Sequence, residues 1–298
     1  MNLHGIFPPI PTPFSGDTVD ARGLAANISR WMRTRLSGVV VLGSNGEAPL
    51  LEDPEADAIV ATAREGVPRN KVLIAGTGRE STAATIAATK RAAALDADAV
   101  LVRTPSYFKN VMTPEVFVRH YTAVADASPV PVLLYNVTMY TGVNLQGDAV
   151  ARLAEHPNIV GMKESTSDVA QVADLVSKVP ESFPVLAGSG ATLFASLTVG
   201  ASGAVLALSA VVPDICVEIY DLVTQRRHED ARALQRQVTP LARLLGSMHG
   251  VSGLKYALDQ LGYVGGPVRP PLGPLPAEAQ EHIRAQLALL GGKLQAAS

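Results

Sequence analysis

The stretch "NIVGMKEST", residues 158–166, runs through an apolar segment and stops on a lysine. Ile159 and Val160 read as buried strand, and Gly161 and Met162 continue the apolar tone. Continuous rather than alternating hydrophobicity marks a parallel strand covered on both faces. Lys163 then stands where such a strand ends. A strand-end lysine commonly reaches solvent along its own methylene stem. It can also be a desolvated amine kept for a carbonyl substrate. The segment alone does not separate these readings.

The same kind of run recurs along the chain. "GIFPPI" (5–10), "GVVVLG" (38–43), "KVLIAG" (71–76), "DAVLVR" (98–103), "PVLLYN" (131–136), "PVLAGS" (184–189) and "GAVLAL" (203–208) bring the count to eight. Between them lie alanine-rich helical patterns near 20–35, 54–66, 81–95, 114–127, 146–155, 167–179 and 190–199, with another after Pro213. Asp53 with Pro54, and Thr113 with Pro114, mark helix starts as N-cap and early proline. Eight strand–helix units over about 225 residues predict an α/β fold, a (β/α)8 TIM barrel, rather than an open doubly wound sheet. Residues 1–225 are therefore expected to form the barrel. From 226 to 298 the strand signal stops, and helices at about 228–245, 252–261 and 277–291 flank a Pro/Gly-rich turn at 265–276. This C-terminal helical extension is expected to pack on the barrel or on a neighbouring subunit.

Composition removes several functions. At 47% hydrophobic and 17% charged, the chain can bury a large core and is not disordered. A formal charge of −2 with no basic stripe gives nucleic acid nothing to bind. Cys216 is the single cysteine, so disulfides and cysteine metal sites are excluded, and its apolar surroundings predict a packed helix residue. The six histidines show no metal-binding spacing. "MNLHGIFPPIPTPF" lacks the parts of a signal peptide, and no apolar stretch reaches the roughly 18 residues of a membrane span. The expectation is a soluble, cytoplasmic protein with no metal and no diffusible cofactor.

If the barrel is right, chemistry belongs where strands end and loops begin. There stand "GSNGE" (43–47), "GTGRES" (76–81), "TPSYF" (104–108), "YNV" (135–137), Lys163 and "GSG" (188–190). Lys163 thus faces a ring of hydroxyls and backbone amides. An amine in a mostly apolar mouth loses hydration of its charged form, which favours the neutral nucleophile. It can attack a keto group to form a Schiff base, an electron sink for a neighbouring C–C bond. Tyr135 is placed to shuttle the proton and Ser44 to relay it. The amides of Ser44 and Asn45, in a turn completed by Gly46, can hold a substrate carboxylate. Each feature has a plainer alternative. "GSNG" fits an ordinary tight turn, and Tyr135 fits a core aromatic with a satisfied hydroxyl. "GTGRES" lacks the spacing of a phosphate loop, and its Ser81 reads as a helix cap. Glu47 reads as an anchor of its loop, and Tyr107 as an exposed interface aromatic.

"GSNGE", "TPSYF", "LLYNV" (133–137) and "VGMKES" (160–165), in that order on the strand ends, resemble the dihydrodipicolinate synthase/N-acetylneuraminate lyase family of class I pyruvate-type aldolases. "PPIPTPF" and "VLAGSG" fit as well, so the resemblance covers essentially the whole chain. "GSNGE", "HPNIVGMK" and "GYVGGPVRPPL" (262–272) together look most like the 4-hydroxy-2-oxoglutarate aldolase branch. The resemblance implies Lys163 as Schiff-base lysine, Tyr135 as proton-shuttling phenol and Ser44 as relay hydroxyl. It also implies a 2-oxo acid substrate met by Ser44, Asn45, Gly46, Ser165, Gly188 and Tyr140. Tyr107 would reach a neighbouring subunit's site, in a homo-oligomer that is a dimer or tetramer. Synthases of the family usually carry Y-N-x-P-x-R-T-G after the tyrosine. Here "YNVTMYTG" puts Thr138 for the proline and Tyr140 for the arginine. Retro-aldol cleavage of 4-hydroxy-2-oxoglutarate or a similar acid is therefore expected ahead of 4-hydroxy-tetrahydrodipicolinate synthesis. A barrel that binds a keto acid without turnover is the non-enzyme alternative.

Overall fold

The computed structural model describes residues 1–294 and shows eight parallel strands wound into a (β/α)8 barrel. The strands are β1 (Gly5–Phe7), β2 (Gly38–Val41), β3 (Val72–Gly76), β4 (Ala99–Arg103), β5 (Val132–Asn136), β6 (Ile159–Glu164), β7 (Val185–Ala187) and β8 (Gly203–Val205). From β2 to β8 each strand pairs in parallel with the next, and β8 returns to β1. The seam between β1 and β2 closes differently. Pro8 and Pro9 have no N–H to give to a ladder, so the expected run 5–10 is a paired strand only over 5–7. Carbonyls close the barrel instead: Ser37 N–H donates to the Ile6 carbonyl at 3.0 Å and Val40 N–H to that of Pro8 at 2.9 Å. Ile10 N–H then donates back to the Val40 carbonyl at 2.9 Å.

Period-two alternation divides each strand between two apolar layers. Phe7, Val40, Ile74, Leu101, Leu133, Leu186 and Val205 fill the barrel interior. Val39, Val41, Leu73, Val100, Val102, Leu134 and Met162 face the helices. This is why the strands carry unbroken hydrophobicity in sequence.

The helices are α1 (Ala21–Trp31), α2 (Asp53–Gly66), α3 (Thr82–Ala94), α4 (Pro114–Ala127), α5 (Gly147–Leu153), α6 (Val169–Lys178), α7 (Leu193–Thr198) and α8 (Pro213–Thr224). Thr113 caps α4 by accepting from Val116 N–H at 3.4 Å, and Ser81 caps α3 by accepting from Ala84 N–H at 3.1 Å. The expected cap of α2 moves by one residue. Glu52 is the N-cap, its N–H donating to Glu55 at 2.9 Å, while Asp53 pairs with Arg79 and Arg91. The helix expected at 190–199 opens as a tight turn, Gly190–Thr192, and continues as α7. A two-stranded hairpin, Phe14–Ser15 with Thr18–Val19, had no sequence expectation. Cys216 packs inside α8, where burial pushes its thiol up.

Three further helices follow: α9 (His228–Arg243), α10 (Gly250–Gln260) and α11 (Ala277–Leu294). The turn after α10 docks on α1. Asn27 donates to the Val264 carbonyl and accepts from Val264 N–H, both at 2.8 Å, and Trp31 stacks on Tyr263 at 5.2 Å. Arg269 forks onto Glu55 with both contacts at 2.7 Å, a bidentate geometry that fixes direction as well as distance. No described helix is long and apolar enough to cross a membrane, and no three described His, Cys, Asp or Glu side chains group as a metal site.

Candidate active site

Strand register decides which side chains meet. Tyr135 on β5 lies opposite Lys163 on β6, and Lys163 lies opposite Leu186 on β7. Tyr135 and Leu186 belong to the interior layer, so the parity of the sheet points Lys163 inward as well. The neighbouring pair Asn136 and Glu164 faces the helices. There Glu164 accepts from Asn136 at 2.8 Å, from Gln171 at 2.9 Å and from Thr166 N–H at 2.7 Å. This buried network ties the ends of β5 and β6 to α6 directly behind the two inward side chains.

Lys163 is 3% exposed and Tyr135 5%. Lys163 Nζ lies 4.2 Å from the Tyr135 ring centroid. The Tyr135 hydroxyl is 3.2 Å from that of Ser44, which comes from the tight turn after β2. A cavity of about 110 Å³ opens over these groups, lined also by Asn45, Tyr140, Ser165 and Gly188. Ser165 Oγ is buried with no hydrogen-bond partner among the described residues. A Cβ on Gly188 would lie 2.1 Å from it, so only glycine fits there.

Two expected residues stand apart. Gly46 does not line the cavity: its N–H is spent on the Gly43 carbonyl at 3.0 Å, and its own carbonyl accepts from Thr12 at 2.8 Å. Tyr107 is 79% exposed and outside its own chain's cavity. Glu80 holds its backbone N–H at 2.8 Å, and its ring meets Phe108 edge-on at 5.1 Å. Glu47 does anchor its loop. It adopts a left-handed backbone (φ 57°), and its buried carboxylate meets Lys255 at 2.5 Å and Arg269 N–H at 2.8 Å.

A model of the dihydrodipicolinate synthetase family matches residues 2–289, nearly the whole of this barrel and its helical extension. The chain belongs to the dihydrodipicolinate synthetase family. A 4-hydroxy-tetrahydrodipicolinate synthase of Stenotrophomonas maltophilia is 36% identical over 294 residues, covering 97% of this chain and 98% of the relative. The synthase structure from Methylacidiphilum fumariolicum superposes with a TM-score of 0.94 at 32% identity, covering 99% and 98% of the two chains. YagE of E. coli K12, solved in complex with pyruvate, superposes with a TM-score of 0.92 at 28% identity over 98% and 99%. As a member of the dihydrodipicolinate synthetase family the chain is an enzyme, a class I aldolase of the Schiff-base lyase type. The non-catalytic reading of the barrel falls with that result.

Within this dihydrodipicolinate synthetase scaffold, sequence reasoning missed one wall of the site. Ser167 and Ser189 line it from the loops after β6 and β7, Arg243 from the end of α9, and Gly246 and Ser247 from the turn that follows it. Ser189 lies inside the "GSG" (188–190) strand end, and Ser167 follows Ser165 by two residues. Arg243 carried no signal, because a charged residue on an amphipathic helix reads as solvated surface.

Proposed function

We propose that the enzyme cleaves a 4-hydroxy-2-oxo acid, with 4-hydroxy-2-oxoglutarate the leading substrate, into pyruvate and an aldehyde. The reading is carried by one observation: Lys163 lies buried against the Tyr135 ring at 4.2 Å while the Tyr135 hydroxyl meets Ser44 at 3.2 Å. Neutral Lys163 attacks the C2 carbonyl, and Tyr135 gives its proton to the departing water, leaving a cationic iminium and a Tyr135 phenolate. The C4 hydroxyl gives its proton to the Tyr135–Ser44 pair as the C3–C4 bond breaks. The bonding electrons flow into the iminium, giving an enamine, and the aldehyde leaves. The proton returns to C3, and water hydrolyses the iminium to pyruvate and neutral lysine, the released proton restoring the Tyr135 hydroxyl. The amides of Ser44 and Asn45 are assigned to the carboxylate beside the carbonyl, with Ser165 and Gly188 shaping the space around it.

Condensation of pyruvate with aspartate semialdehyde is the second reading, and the synthases named above favour it. Against it stands Tyr140, which lines the cavity where family synthases usually place arginine. A panel of 2-oxo acids and aldehydes, assayed for pyruvate release or consumption, tests the choice. Pyruvate release from 4-hydroxy-2-oxoglutarate with the higher kcat/KM is expected. Faster consumption of aspartate semialdehyde would restore the synthase assignment.

Tyr107 and Phe108, 79% and 69% exposed side by side, support docking against a second copy of the chain. A dimer or tetramer by light scattering, broken up by Tyr107→Asp, is the expected result. A cytoplasmic setting suits the single buried thiol.

A further inference from the structure

Arg243 ends α9 and lines the Lys163 cavity, yet the mechanism above gives it no task. Its helix is held firmly against the barrel. Gln235 donates to the Gly190 carbonyl at 3.0 Å and accepts from Phe194 N–H at 2.9 Å. Ala242 packs so near that a Cβ on Gly190 would lie 3.3 Å from its own. Directly after Arg243 the helix widens into a π turn, Leu244–Met248, whose His249 N–H reaches the Leu244 carbonyl at 3.1 Å. Gly246 and Ser247 of that turn line the same cavity. Such turns are rare in helices and recur at functional sites.

Charge singles the residue out further. Arg79 pairs with Asp53 at 3.2 Å and Arg103 with Glu80 at 2.7 Å, and neither lines this cavity. Arg243 has no ion-pair partner among the described residues, and no Asp or Glu lines the cavity. With Lys163 committed to the carbonyl and the Ser44–Asn45 turn to the adjacent carboxylate, an anion at the far end of the substrate needs another donor. A guanidinium suits it, since its planar fork matches a carboxylate in two bonds.

We infer that Arg243 binds the distal carboxylate of a dicarboxylic 2-oxo acid and so makes the enzyme selective for substrates charged at both ends. This rests on the Schiff-base reading of Lys163, and the test separates the two. Borohydride trapping is run with 2-oxoglutarate and with 2-oxopentanoate, acids of equal length that differ in a terminal carboxylate against a methyl. The half-saturating concentration for adduct formation at Lys163 is measured for the wild type, Arg243→Gln and Arg243→Lys. The wild type should prefer 2-oxoglutarate. Arg243→Gln should lose about ten- to a hundredfold of that preference, the range of a charge-assisted contact. Arg243→Lys should keep part of it, and trapping with 2-oxopentanoate should be unchanged in all three. Adducts with both acids but an unaltered preference in Arg243→Gln, or no preference in the wild type, overturn the role of Arg243 alone. No adduct at Lys163 with either acid overturns the Schiff-base reading, and this inference with it. Arg243 is exposed, so the variants are compatible with the fold.

Discussion

Ser44 and Tyr135, 91 residues apart in the chain, bring their hydroxyls to 3.2 Å at the mouth of the barrel. Ser44 comes from the turn after β2 and Tyr135 from the end of β5, so the contact exists only because the strands close into a ring. If the two hydroxyls form one proton path, their losses overlap. Tyr135→Phe should lower kcat by about 10²–10⁴, the usual worth of a general acid–base group. Ser44→Ala should cost less, and the double variant little more than Tyr135→Phe alone. Additive losses in steady-state kinetics would show the hydroxyls working separately.

Lys163 should carry the substrate. Borohydride reduction with pyruvate present is expected to add the pyruvate-derived mass to the peptide containing Lys163, and Lys163→Ala should abolish both label and turnover. Lys71 is a poor competitor, its ammonium being held by the Thr34 and Leu36 carbonyls at 2.6 and 2.8 Å. Label found by mass spectrometry on Lys71 or Lys109 would sink the assignment.

The Glu47–Lys255 pair should matter for stability and for the site together. Both side chains are nearly sealed from water, at 0% and 2% exposure, and burial pulls the Lys255 amine down while Glu47 opposes that shift. Removing one partner strands a buried charge, so Lys255→Met or Glu47→Gln should cost about 3–5 kcal/mol in urea unfolding. Replacing both with apolar residues should recover much of that loss. Because Glu47 follows the Ser44 turn directly, the single variants should also raise KM, which a purely remote packing change would leave alone.

His120 should make the fold acid-sensitive. Burial lowers its imidazole from 6.5 to about 4, with the Glu80 charge acting weakly the other way. Thr82 meets Nδ1 at 2.9 Å, and Nε2 is buried with no partner among the described residues. The unfolded chain binds this proton below about 6.5 while the folded chain refuses it until about 4, so stability falls as pH drops through that window. His120→Gln should flatten the decline of the urea midpoint between pH 6.5 and 4. An identical slope in the variant would place the acid sensitivity elsewhere.

The sequence by itself determined the elements and their faces. Local physics governs both: unbroken apolar runs mark strands covered on two sides, and period-two alternation then fixes which side of the sheet each residue takes. That was enough to read eight barrel strands and to find Lys163 and Tyr135 at strand ends. The caps at Ser81 and Thr113 were legible because capping spans only a few residues. The tertiary structure decided what depends on distant segments meeting. The β1–β2 seam closes through carbonyls around Pro8 and Pro9, and Glu47 is fixed by Lys255 and by the Arg269 amide from the C-terminal extension. Gly46 is drawn out of the site by its own turn, and Arg243 is carried into the cavity lining by the packing of α9 on Gly190. No spacing along the chain encodes those meetings. They follow from which surfaces remain apolar once each strand and helix has formed, and from the single closed arrangement that buries them all.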